Sequence, residues 1–165
     1  MRLRIRTLTT FALVALTIGL FSLAQSASAV SDCKRANGNL SVVNNGNGTT
    51  SGTITQGGRL NGTTQSIFTS AFTPTPDPNT FSFTDDLIVT TARCGRLCPE
   101  GVLKTHNVGI FDLATGLFSA INRIDPNAST GGFAGATGAL YINGKTTDGG
   151  ATFQGEITGE ICFAN

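Results

Sequence analysis

The chain is short of the residues from which most reactive centres are built. One histidine, His106, stands in 165 residues, and charged residues make up only 13%. A single histidine rules out a His-rich metal centre, and neither H-E-x-x-H nor G-x-S-x-G occurs. Beyond the first six residues there is no basic run or patch. Neither nucleic acid nor an anionic membrane surface is therefore expected as a partner, because both need clustered Lys or Arg. No apolar stretch reaches the roughly 20 residues that span a bilayer. After the N-terminal segment no helical period is sustained.

What is present at the N-terminus has three parts. Arg2, Arg4 and Arg6 come first without an acid, an apolar stretch runs from about Phe11 to Ala24, and Ala27-Ser28-Ala29 follows. This order predicts a removable signal helix over residues 1–29, with cleavage after Ala29. The arginines alternate with Leu3 and Ile5, so the twin-arginine type is excluded. Asp32, directly before Cys33, argues against a lipid-modified cysteine. The expected product is residues 30–165 as one domain, secreted or periplasmic, with no stable membrane insertion after cleavage. Eight basic residues then face ten acids, a formal charge of −2.

Four cysteines, Cys33, Cys94, Cys98 and Cys162, fall in that segment. An even count in an exported chain reads as two disulfides, with three possible pairings. The favoured pairing is Cys94–Cys98 as a local clip and Cys33–Cys162 as a staple between the ends. Zinc is the competing reading, but three residues separate Cys94 from Cys98 and only one histidine is available. No metal and no cofactor is expected.

The fold signals are short alternations and turns. Phe153, Gly155, Ile157, Gly159, Ile161 and Phe163 share one face of a period-two segment, with Glu156 and Glu160 on its polar face. Strands are also expected at 51–56, 65–72, 80–91, 102–111, 116–123 and 139–143, with a further piece near 40–43. Asn44-Asn45-Gly46-Asn47-Gly48, Asn61-Gly62, Asn143-Gly144 and Asp148-Gly149-Gly150 supply turns. The Asn47, Asn61 and Asn127 sequons read as turn chemistry too. Thr73 to Pro78, with three prolines, is a stiff extended loop. Seven or eight strands without helices predict an all-β sandwich or closed barrel.

The most distinctive string is Gly131-Gly132-Phe133-Ala134-Gly135-Ala136-Thr137-Gly138-Ala139-Leu140, followed after a hairpin by Thr152-Phe153-Gln154-Gly155-Glu156-Ile157. Glycine at every third position suits a sharp corner, with Phe133 as a plug. A strand follows rather than a helix, so the string is not a nucleotide loop. This region, about residues 129–163, resembles the C-terminal part of the allene oxide cyclase / dirigent-like barrel superfamily, and within it the small secreted bacterial members. The resemblance implies an eight-stranded antiparallel β-barrel and suggests a homo-oligomer, a trimer in many relatives. An eight-stranded interior is either filled or just holds one small ligand.

Candidate site residues are few. If 80–91 is one unbroken strand, Asp85 shares a face with Phe81, Phe83, Leu87 and Val89, where desolvation would raise its pKa and suit it to proton transfer. The favoured expectation is instead a break or bulge at Asp85-Asp86 that leaves both in solvent. His106 is the other candidate, expected to be structural or exposed. Phe81, Phe83, Phe133, Tyr141 and Phe153 are the candidate contacts for a small apolar ligand. A secreted binding barrel ranks first among functions, a structural protein of the envelope or matrix second, and a reaction-steering enzyme third.

Overall fold

The computed structural model describes residues 32–93 and 98–164. The signal-peptide expectation, Cys94 and the loop around it lie outside the described residues. Eight long strands form the wall: β1 (Asp32–Asn44), β2 (Thr49–Thr55), β3 (Gly62–Phe68), β5 (Thr80–Thr91), β6 (Gly101–Asp112), β7 (Leu117–Ile124), β9 (Thr137–Lys145) and β10 (Thr152–Phe163). Two-residue strands β4 (Thr73–Pro74) and β8 (Thr130–Gly131) and one 3₁₀ turn (Gly58–Leu60) complete the elements. Each wall strand pairs antiparallel with the next in sequence, and β10 returns to pair with β1. The result is a closed up-and-down barrel without sheet edges along its wall.

Burial follows the period of two. In β10, Ile157 and Ile161 are buried, while Glu156 and Glu160 are exposed as expected. β1 runs over 13 residues, far beyond the short piece expected near 40–43, because its inward positions before Leu40 are Ala36 and Gly38, too small to mark an apolar face. The strand expected at 65–72 ends at Phe68. Phe68 pairs with Asp85, and the next pair is Thr73 with Ser82. The four residues 69–72 therefore oppose only Phe83 and Thr84, a bulge with two extra residues. Thr69 and Ser70 both donate their N–H to Thr84 O, and the Ser70 hydroxyl accepts from Thr84 N. Such a bulge re-aims a side chain, and here it swings Phe72 over the open end of the barrel.

The interior has three layers. One half is filled by Leu60, Val89, Leu103, Leu140, Ile157, Ile161 and Phe133, each wholly or almost wholly buried. Phe133 stacks on Phe163 with ring centroids 6.1 Å apart, so the glycine-rich string does build a plugged corner. Gly138 in that string has φ +127, and a Cβ there would lie 2.3 Å from Glu160 O. No other residue fits that position. A polar belt crosses the middle, and an open chamber occupies the other half. The Cys33–Cys162 disulfide ties β1 to β10 at the plugged end. Cys98 is disulfide-bonded as well.

Candidate functional site

The chamber sits between the mouth and the polar belt and has a volume of about 80 Å³, continuous with solvent at the mouth. That is below the roughly 300–1,000 Å³ of a typical small-molecule site, so a ligand of ordinary size reaches out past the mouth. Phe68, Phe72, Phe83, Phe111, Phe118 and Phe153 line its upper part, with Leu40, Val42, Leu87, Ala120 and Ile142 below. The rings touch in sequence around the mouth. Phe72 meets Phe68, Phe83 and Phe111 at 5.3, 5.4 and 6.3 Å, and Phe153 meets Phe111 and Phe118 at 6.1 and 5.4 Å.

Two of these rings lie across glycines of the neighbouring strand. Phe83 faces Gly109 on β6, and Phe118 faces Gly144 on β9. A Cβ at Gly109 would come within 2.3 Å of the Phe83 ring, and one at Gly144 within 2.5 Å of Phe118. The absent side chains are what let the rings lie flat against the wall and keep the chamber open.

The floor is the polar belt, drawn from adjacent strands. Thr50, Ser66, Asp85, Asn107 and Asn122 come from β2, β3, β5, β6 and β7, and all are buried. Hydrogen bonds converge on Asp85. Thr105 Oγ1 donates to Asn107 Oδ1 at 2.7 Å, and Asn107 Nδ2 donates to Asp85 Oδ2 at 3.1 Å. From the other side Ser66 bonds the Asp85 carboxyl, and Thr50 Oγ1 lies 2.8 Å from Ser66 Oγ. Asn122 donates to Ala120 O and Leu140 O, while its buried Oδ1 finds no partner among the described residues.

The strand thus runs unbroken through Asp85-Asp86, paired on both sides, and the bulge expected there is absent. The bulge lies on the opposing strand instead. Asp85 is only 6% exposed. Burial is the main cause that pushes its carboxyl up to about 6; the Asn107 and Ser66 hydrogen bonds pull against it, and the Asp86 charge adds to the rise.

Of the candidate ligand contacts, Phe83 and Phe153 line the chamber. Phe81 lies two residues nearer the strand end, half-buried and outside the lining. Phe133 belongs to the filled half, and Tyr141 is 48% exposed on the outer face because Leu140 and Ile142 take the inward positions of β9. Phe68, Phe72, Phe111, Phe118, Ser66 and Asn107 were not legible as site residues. Phe111 had a usable signal, since it follows Thr105, Asn107 and Gly109 at a spacing of two; Phe72 had none, because its position depends on the bulge.

His106 is on the outside of β6, one residue out of phase with Asn107, and cannot work with Asp85. Its Nδ1 lies 2.7 Å from Asp86 Oδ1 and its Nε2 3.2 Å from Asp125 Oδ2. Asp86, chiefly through the hydrogen bond, raises the imidazole above its ordinary 6.5. The stabilisation is complete below the unfolded value and is lost as pH rises through the folded one. It is small, because the side chain is 66% exposed. In an NMR titration the His106 ring midpoint should lie above 6.5 and drop in Asp86→Asn; no drop would mean that Asp86 does not hold the imidazolium.

Cys33, Glu160 and Cys162 cluster as metal ligands would, but both sulfurs are bound in the disulfide and cannot act as thiolates. Comparison with protein-family models, with curated proteins and with solved structures finds no match.

Proposed function

We propose that this chain is an exported barrel that binds one small apolar molecule in its open half. The observation that carries this reading is a chamber walled by six phenylalanines and aliphatic side chains above a single buried carboxyl. Apolar walls with a few placed polar groups are the common make-up of ligand sites. The resemblance of residues 129–163 to the allene oxide cyclase / dirigent-like superfamily agrees with this reading, and so does the closed eight-stranded barrel. The Cys33–Cys162 disulfide fits an oxidising compartment. For the association of copies that the resemblance suggests, the outer wall offers an apolar row of Val108, Ile121 and Tyr141 on paired positions of β6, β7 and β9.

A reaction-steering role is the second reading, favoured by the inward Asp85, which could pass a proton to or from a bound substrate. The envelope or matrix reading expects a filled barrel, and a chamber of only about 80 Å³ is compatible with it. Native mass spectrometry of residues 30–165 from an export-competent host tests the binding reading. A mass excess lost on denaturation, and absent in Ala120→Leu, which fills the chamber, is the expected result. A bare mass, with no uptake from a panel of apolar compounds, would sink it.

A further inference from the structure

The chamber is polar at one end only, and that end holds one titratable group. β1, β2, β3, β6, β7, β9 and β10 present no charged or titratable side chain to it. Ser66 from β3 and Asn107 from β6 flank Asp85, and both hydrogen bonds support its charged form. The adjacent Asp86 points out of the barrel to His106. Any polar group of a ligand at the floor must therefore deal with the carboxyl itself.

The chemistry of that carboxyl sorts the ligand heads. A carboxylate or phosphate would set like charges side by side in an apolar space. An ammonium brings three donors and must leave water, with one carboxylate to pair with and mainly hydroxyls for the remainder. A carbonyl needs one donor, which a protonated carboxyl supplies. It also spares the chamber any net charge.

We propose that the chamber takes a neutral, mostly apolar molecule with one carbonyl group, seated on the protonated Asp85 carboxyl, and that binding draws one proton from solvent into the barrel whenever the empty site holds Asp85 as a carboxylate. This rests on the binding reading above. The proton leaves water, bonds to a carboxylate oxygen of Asp85, and is shared as a hydrogen bond with the ligand oxygen; nothing is oxidised or reduced. Because Asp85 titrates at about 6, the binding-competent fraction falls about tenfold for each pH unit above that point.

The test uses the mature chain with a neutral, polarity-sensitive ketone, 6-propionyl-2-(dimethylamino)naphthalene, and the same naphthalene carrying propyl in place of propionyl. Affinities are measured by fluorescence at pH 5 and pH 8. The ketone should bind roughly 100-fold more weakly at pH 8, and at pH 5 it should be preferred about tenfold over its carbonyl-free partner. In Asp85→Asn, where an amide N–H replaces the acid O–H, the pH trend should vanish. Equal binding of both compounds at pH 5, a flat ketone affinity, or a trend that survives Asp85→Asn overturns the proposal and leaves an apolar-binding barrel standing. Failure of both compounds at either pH overturns the binding reading itself.

Discussion

Asp85→Asn is expected to stabilise the barrel at pH 8 by about 3 kcal/mol, which for a domain of this size raises the melting temperature by roughly 10 °C. The cause is the cost of holding a carboxylate in an apolar interior. With the folded carboxyl at about 6 and the ordinary value at 3.8, the folded state binds the proton more tightly than the unfolded chain. Stability is therefore highest below 3.8, declines as pH rises toward 6, and stays reduced above it. Asparagine keeps the shape and accepts from Asn107 without the charge. The gain should shrink steadily below pH 6 and vanish in acid. Denaturant unfolding of both proteins across that range measures it, and a loss of stability at pH 8 would mean that the carboxylate is better solvated than its burial implies. A residue that costs stability in a layer otherwise made of neutral side chains is the pattern of a site kept for use.

The second large effect is at the opposite end. Replacing Cys33 and Cys162 together by serine should lower stability by about 5 kcal/mol, because their disulfide closes a loop over a sequence separation of 129 residues. Typical domains are stable by only about 5–15 kcal/mol, so the variant would sit near the edge of folding. The urea midpoint at fixed pH, with the slope checked for a change in the unfolded state, reads the effect. A loss below about 1 kcal/mol would mean that the unfolded chain already keeps its ends together.

The strands were largely legible because the alternation of apolar and polar residues is a local property. Strand 80–91 is found at its expected limits, and the last strand shows its expected faces. The staple Cys33–Cys162 is present as favoured, and Cys98 is bonded too. The site is less legible, and the reason is physical. Whether Asp85 points inward depends on which strand carries the bulge, and a bulge at 69–72 leaves no mark on residues 85 and 86. Phenylalanine gives the same signal whether it fills a core, as Phe133 does, or borders a cavity, as Phe153 does. Tyr141 faces outward for a reason its own strand carries, since Leu140 and Ile142 both face in.

The way the wall closes dictates an order of assembly. Seven of the eight seams join strands that follow one another along the chain, and each can zip as a hairpin once its two strands exist. The eighth, β1 with β10, joins residue 32 to residue 163 and must wait for the far end of the polypeptide. Until that moment both rims of the growing sheet are unpaired and open to strangers, and the seam that removes them carries the largest loop-closure penalty in the molecule. The cysteine pair sits on that last seam. Its oxidation therefore records completion: a chain with the Cys33–Cys162 bond has had its two ends brought together, and one without it can still be caught half-rolled.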